Sequence, residues 1–220
     1  MGGLGKEKEI IMYNYEYVTR NEALPIKKEL IKIINQVQDI VRDDFTFNFY
    51  FIGSSSRNMI TQDVRSNIGF DFDVNIEVND DEQNYSAEEI RRIIRLSLDR
   101  VIRNYGYDYT EDSTRVLTIK FKETMYSRIK HSCDFAIVNN YGEGKQEYIR
   151  YNKGSGSYYW EQQPKGFIGL ETKADWLKKN GYWQDVRDYY IEKKNNNTNP
   201  DKKSRSLYAE TINEIYQRYN

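Results

Sequence analysis

Cysteine, histidine and proline are scarce: the 220 residues contain one Cys, one His and three Pro. With Cys133 alone, an intrachain disulfide and a cysteine-based zinc cluster are excluded, and a reducing compartment suits the chain. Few prolines argue against a low-complexity linker protein. No apolar run approaches membrane-spanning length. The first six residues lack the apolar segment of a secretion leader, and Lys6 breaks the myristoylation pattern. The expectation is a cytoplasmic protein without a membrane role. Charge of one sign is also lacking: the net charge of -1 provides no global polycation for nucleic acid. Residues 1–140 carry a mild acidic excess and residues 141–220 a mild basic one. A Walker A loop is absent, because no Gly-Lys-Ser/Thr occurs.

Aromatic residues are plentiful, with 20 Tyr, 9 Phe and 3 Trp. Tyr buries its ring and keeps its hydroxyl wet, so a mean hydropathy of -0.88 is compatible with a packed core. The length suits one large domain or a domain with an appendage.

Helical spacing of Ile26, Leu30, Ile33, Ile34, Val37 and Val41 predicts a helix over 25–42, opened by Pro25. An apolar run, 47–52, reads as a strand that stops at Gly53-Ser54, and a short helix is expected just after. Over 69–78 the sequence alternates: Phe70, Phe72, Val74, Ile76 and Val78 on one parity, Asp71, Asp73, Asn75 and Glu77 on the other. Strand side chains alternate faces, so Asp71 and Asp73 stand side by side opposite the core. Such a pair repels unless a cation lies between its members, and a divalent metal supplies one. Ser86-Ala-Glu-Glu89 is a capping box opening a helix to about 105, with Gly106 as C-cap. Further strands are expected at 107–109, 116–122 and 130–138. The last places Cys133, Phe135 and Ile137 on one face and Ser132, Asp134 and Ala136 on the other. His131 is expected at a strand end. The region 153–157 reads as a turn between extended pieces. Three helices follow, over 173–180, 183–194 and 206–219, with a polar linker at 195–201.

Gly53-Ser54 between strand and helix can cradle phosphate on backbone amides, with the hydroxyls of Ser54, Ser55 or Ser56 as added donors. By itself it is equally the signature of a plain turn. Asp71-Phe-Asp73 and Asp134, taken singly, also occur on ordinary solvated strands. The order strand, Gly-Ser, helix, strand with Asp-x-Asp, later strand with Asp resembles the DNA polymerase β-like nucleotidyltransferase superfamily, over roughly residues 24–140. The resemblance implies an α+β fold, a mixed sheet backed by helices. It implies residues 1–140 as the catalytic domain and 141–220 as a mainly helical part that closes on substrate. It also implies transfer of a nucleoside monophosphate from an NTP to a hydroxyl acceptor, with release of pyrophosphate. Two Mg²⁺, or Mn²⁺ in their place, would be held by Asp71, Asp73 and Asp134. Gly53, Ser54, Ser55, Ser56 and Arg57 would meet the phosphates, and Asp134 would serve as the nearest base.

The interval from Ser54 to Asp71 is longer than in compact antibiotic-modifying members and resembles the branch of oligoadenylate synthases and bacterial cyclic-oligonucleotide synthases. In that branch a Lys and then a Ser bind triphosphate, which points to Lys193 or Lys194 and to Ser204 or Ser206. The same residues also read as a solvated helix end followed by an N-cap Ser. Tyr158, Tyr159 and Trp160 read as core packing or as a base-stacking platform. Arg57 and Arg65 read as triphosphate contacts or as exposed or acid-paired cations. ATP is the starting expectation for the donor. The acceptor stays open among a small molecule, an RNA end, a protein hydroxyl and a second nucleotide, as does the oligomeric state. Two other classes remain: a catalytically silent nucleotide- or RNA-binding module of the same fold, and a toxin- or antitoxin-type partner protein.

Overall fold

The computed structural model describes residues 13–80, 82–142, 145–163, 166, 167 and 169–220. The readings made on residues 1–6 lie outside these. In chain order the elements are β1 (Tyr15–Tyr17), α1 (Arg20–Val41), β2 (Thr46–Ile52), α2 (Gly53–Ser56), β3 (Thr61–Asp63), β4 (Ile68–Asn79), α3 (Ala87–Val101), β5 (Glu111–Asp112), β6 (Leu117–Glu123), β7 (Arg128–Asn140), β8 (Gln146–Asn152), β9 (Ser157–Gln162), α4 (Leu170–Lys179), α5 (Trp183–Asn195) and α6 (Ser204–Tyr219). The chain divides into two compact units, one of residues 17–62 and 66–164, the other of residues 1–16, 63–65 and 165–220. β8 pairs antiparallel with β7, and β9 with β8, which extends the first unit's sheet.

That sheet runs β2-β4-β7-β6-β5. β4 and β7 are parallel, whereas β2 with β4, β6 with β7, and β5 with β6 are antiparallel. The mixed sheet backed by helices matches the expected fold class. One face carries Phe72, Val74, Ile76, Phe135 and Ile137. They bury against Leu30, Ile33, Ile34 and Val37 of α1 and Ile90, Ile94 and Leu98 of α3 in one apolar cluster. These are the sets that the period-two and period-3.6 patterns singled out.

Both helices open on capping boxes. In α3 the Ser86 hydroxyl accepts from the Glu89 amide and the Glu89 carboxylate accepts from the Ser86 amide. In α1 the box is Thr19 with Glu22, so the helix begins at Arg20 and Pro25 lies inside it. The expected start at Pro25 was late because the Thr-x-x-Glu cap outranks proline as a helix opener. The expected strand at 107–109 is absent. Tyr107 instead turns its ring into the core, and pairing resumes only at Glu111–Asp112. A three-residue strand, β3, stands in the polar stretch where only a helix was expected.

His131 is a core residue rather than a strand-end one. It is 4% exposed, its ring stacks on Phe121 with centroids 5.2 Å apart, and Nε2 lies 2.8 Å from the Tyr107 hydroxyl. That hydroxyl donates to Glu29 Oε1 at 3.2 Å, so Nε2 carries the proton and donates to Tyr107. Nδ1 is buried with no hydrogen-bond partner among the described residues. Burial pushes the imidazole down to about 4.

The second unit contains α4, α5 and α6, which bury Leu177, Val186, Tyr190, Leu207, Ile212 and Ile215. The Asn195 carboxamide accepts from the Tyr15 amide at 2.5 Å and donates to the Tyr15 carbonyl at 3.1 Å, serving that backbone as a neighbouring strand would. Among the described residues, no helix is long and apolar enough to cross a membrane.

Candidate active site

The first unit's sheet has a polar face opposite its core, and the three expected carboxylates meet there. In the parallel β4–β7 pair, Asp71 lies opposite Ser132, Asp73 opposite Asp134 and Asn75 opposite Ala136. Side chains opposite each other across paired strands point to the same side, so Asp73 and Asp134 are direct neighbours. On the other flank Asp73 registers with Ile52, the last residue of β2. The chain must therefore turn at Gly53, against Asp73. Gly53 has φ of +64°, and a Cβ there would lie 2.3 Å from Asp73 Oδ2. Glycine is required twice over, by the left-handed backbone and by the carboxylate pressed against it.

Asp73 is pushed up to about 6, first by burial, then by the charges of Asp71 and Asp134, with Arg57 opposing. Asp134 is also raised, mainly by burial. Its Oδ1 accepts from the Thr118 hydroxyl at 2.6 Å, which draws it back down, as does the nearby Lys120. Lys120 is itself bound to Glu111 at 2.5 Å. The two carboxylates thus lean apart: Asp73 toward the Gly53 turn, Asp134 toward Thr118 on β6. Among the described residues, no three His, Cys, Asp or Glu side chains close into a cage around a metal. The donor set nevertheless fits a hard cation. It is all oxygen, and the charges that raise Asp73 are ones a bound cation would offset. Mg²⁺ is ordinarily held by one or two carboxylates together with substrate phosphates rather than by an all-protein cage.

The Gly53-Ser54 turn is one helical turn, Gly53–Ser56, without a side-chain cap. The Ser55 hydroxyl donates to the Ile52 carbonyl at 3.1 Å and the Ser56 hydroxyl to the Gly53 carbonyl at 3.0 Å. Both are occupied within the turn. The Ser54 carbonyl accepts from the Met59 amide at 2.9 Å. Arg57 follows and acts electrostatically on Asp73.

Lys193, Lys194, Ser204 and Arg65 belong to the second unit. Lys193 is ion-paired with Glu214 and lies 3.6 Å from Glu210. Lys194 is buried with Nζ 3.9 Å from the centroid of the Tyr15 ring. Lys194 and Ser204 line one cavity of about 200 Å³ together with Tyr13, Tyr15, Lys202 and Lys203. Ser204 opens α6 as its first helical residue, after Lys203 as N-cap. Tyr158 and Trp160 pack against the apolar core, and the Tyr158 hydroxyl donates to Asp112 at 2.9 Å.

No protein-family model matches the chain, and no curated protein matches it. Solved structures do. The Vibrio cholerae DncV cyclic AMP-GMP synthase, in complex with a linear pppA(3',5')pG intermediate, is similar at a TM-score of 0.58 and 12% identity, over 80% of this chain and 60% of that one. The same protein in its GTP-bound form gives 0.58 and 17%, over 90% and 52%. Escherichia coli DncV in its 3'-deoxy GTP bound form gives 0.57 and 14%, over 93% and 55%. The chain has the polymerase β-like nucleotidyltransferase fold. It spans little more than half the length of these structures.

Within the nucleotidyltransferase fold, sequence reasoning found the carboxylates and the Gly-Ser turn but missed what supports them. Thr118, Lys120 and Glu111 reach the site through the β5–β6–β7 pairings. Pairing partners carry no local sequence signal. Asn75 was visible as the next member of the polar parity, without anything to mark its burial.

Proposed function

We propose that this chain is a metal-dependent nucleotidyltransferase that moves a nucleoside monophosphate from an NTP to a hydroxyl acceptor and releases pyrophosphate. One observation carries the reading: Asp71, Asp73 and Asp134 share one face of a nucleotidyltransferase sheet, and the outermost turn of that face, Gly53-Ser54, presses on Asp73. The proposal gives each residue a role. Asp71 and Asp73 hold divalent metal, and Asp134 completes the set on the β6 side. When bound, the metal neutralises charge on the phosphates and the reacting oxygens, the main catalytic demand of phosphoryl transfer. Gly53 lets the backbone approach the phosphates, and Ser54 donates its hydroxyl to them. Arg57 adds a cation on the same side. Thr118 fixes Asp134 through Oδ1, which leaves Oδ2 to take the proton of the acceptor hydroxyl. Lys194 and Ser204 share one basic cavity within the second unit; their assignment to the triphosphate rests on the sequence resemblance alone. Lys193, held by Glu214 and Glu210, is assigned to holding α5 on α6.

The DncV structures named above contain GTP, nucleotide analogues or a linear dinucleotide intermediate, which makes a second nucleotide the first acceptor to try. Titration of each of the four NTPs, in Mg²⁺ and in chelator, tests the site without knowledge of the acceptor. The proposal expects binding of at least one NTP in Mg²⁺ and its loss in Asp73→Asn. Equal binding in chelator would favour a silent nucleotide-binding module instead.

A further inference from the structure

The polar face of the first unit's sheet extends past the carboxylates toward the β6–β7 hairpin. Along β7, Arg128, Lys130, Ser132 and Asp134 alternate with the more deeply set Ile129, His131 and Cys133. One row of side chains therefore leads from the hairpin to Asp134. Where the row has Ser132, β6 places Lys120 directly opposite, on the same side. A cation thus marks each step before the carboxylate: Arg128, then Lys130, then Lys120. Arg128 and Lys130 share a side, because both meet the Glu123 carboxylate, at 2.6 and 3.5 Å. On the β4 flank Gly69 presses on the Lys130 carbonyl and has no side chain to cover the row. At the hairpin tip Met125 is 85% and Tyr126 65% exposed. The Arg128 guanidinium lies 5.4 Å from the centroid of the Tyr126 ring.

The row's cations are held loosely. One carboxylate, Glu123, serves both Arg128 and Lys130, and Glu111 serves Lys120. Solvated ion pairs of this kind add little stability, so phosphate oxygens can take the place of the carboxylates. The row also lies on the far flank from the Gly53 turn: the turn follows β2, and the sheet order is β2-β4-β7-β6. Asp73 and Asp134 stand between the two. Six residues of strand from Asp134 to Arg128 span about 20 Å, longer than the phosphates of a single nucleotide reach and in the range of a strand of several nucleotides. A basic row with an exposed aromatic ring is the equipment of a single-strand site: cations follow the backbone and a ring takes a base.

We infer that this row is a track for a single-stranded oligonucleotide, with phosphates on Lys120, Lys130 and Arg128 and a base on Tyr126, and that the strand brings its 3'-terminal hydroxyl to Asp134 as the acceptor. The 3' oxygen attacks the α-phosphorus of the NTP and forms the new P–O bond. The bond between the α- and β-phosphates breaks, pyrophosphate leaves, and the hydroxyl proton passes to Asp134. The inference rests on the nucleotidyltransferase reading for this chemistry, but not for the binding surface. A single nucleotide as acceptor would occupy only the Lys120 end.

The test follows the anisotropy of a fluorescein-labelled octaribonucleotide with a free 3' hydroxyl, in Mg²⁺ and without donor NTP, so the readout needs no transfer. Wild type is compared with Lys120→Met, Lys130→Gln, Arg128→Gln, Tyr126→Ala and Glu123→Gln. Lys32→Gln, at an exposed position of α1, controls for net charge. Over about 50–200 mM salt, each lost phosphate contact should reduce the slope of log Kd against log salt by about 0.7 and raise Kd about threefold or more. Tyr126→Ala should raise Kd about fivefold or more with the slope unchanged. Glu123→Gln releases two cations and should tighten binding, a result that misfolding cannot produce. Lys32→Gln should bind as wild type does. No binding by wild type, or row variants no weaker than Lys32→Gln, would overturn the inference. So would displacement of the octamer by an NTP as readily as by unlabelled octamer, which would give the row to a single nucleotide. The catalytic reading fails separately: an octamer bound through the row yet extended with none of the four NTPs in Mg²⁺ would uphold the binding surface and remove the acceptor role.

Discussion

Replacing Asp73 by asparagine should stabilise the metal-free protein while abolishing its chemistry. In the absence of metal, Asp73 is ionised at pH 7.5 beside two other carboxylates, and its pKa stands at about 6 against an ordinary 3.8. A carboxyl raised in the folded state favours folding when protonated and loses that contribution as pH rises through 6. A tenfold change in acidity corresponds to about 1.4 kcal/mol, so the charge costs the folded state about 3 kcal/mol at pH 7.5. Asp73→Asn removes the charge at nearly constant shape. At roughly 2–4 °C per kcal/mol for a chain of this size, the variant should melt about 6–12 °C above wild type in chelator at pH 7.5. The gap should close toward pH 4.5, where Asp73 of the wild type takes up its proton. Added Mg²⁺ with NTP should stabilise the wild type and leave the variant unmoved. Differential scanning calorimetry across pH 4.5–8 measures all of this. A variant no more stable than wild type at pH 7.5 would show that the carboxylates do not repel one another, and nothing would then call for a cation between them.

Other consequences are equally direct. Gly53→Ala forces a Cβ into Asp73 Oδ2 at 2.3 Å and strains a left-handed residue by about 1–2 kcal/mol; NTP binding in Mg²⁺ should weaken at least tenfold, and unchanged binding would place the phosphates elsewhere. Arg91 is 1% exposed and fastens α3 to the β5–β6 turn through Asp112 and the carbonyls of Ser113 and Val116. Arg91→Met strands Asp112 and should cost about 3 kcal/mol in chemical denaturation; a loss under about 1 kcal/mol would contradict the assignment. His131, at about 4 in the fold against an ordinary 6.5, is neutral when folded and takes a proton on unfolding. Stability should therefore fall as pH drops from 6.5 toward 4, by about 3 kcal/mol. The fall should be clearest in Asp73→Asn, where the opposing gain from Asp73 is gone, and absent once His131→Phe is added; persistence of the fall in that double variant would assign it to other groups.

The legible part of the fold was its periodic part. Alternation over 69–78 gave both the buried face of β4 and the juxtaposition of Asp71 with Asp73. The Gly53-Ser54 stop gave the end of β2 and its turn, whereas the contact with Asp73 comes from the β2–β4 pairing. Arg91 was not legible. On a helix otherwise read as apolar inside and polar outside, it points inward because Asp112 and two carbonyls of a distant turn meet it, and such partners follow from topology alone. His131 was assigned to a strand end from its position three residues before Asp134, near the start of the expected 130–138 strand. The pairing that buries it, Phe70 and Phe121 on either side, is non-local. Thr118 was hidden for the same reason. The second unit's helices were legible, with starts two or three residues early of the expectation for α4 and α6. The chemistry of their lysines was not, since Lys193 and Lys194 are adjacent in sequence yet meet different neighbours.

Transfer of nucleotidyl groups is the central claim. Each of the four NTPs, labelled on the α-phosphate, should be incubated with the wild type and with Asp73→Asn, in Mg²⁺ and in chelator. A second unlabelled NTP should be present as acceptor, and labelled product and pyrophosphate followed together. The expected result is pyrophosphate release matched by α-label in a new product, in Mg²⁺ and with the wild type alone. Pyrophosphate and label appearing equally with Asp73→Asn, or in chelator, would contradict the claim.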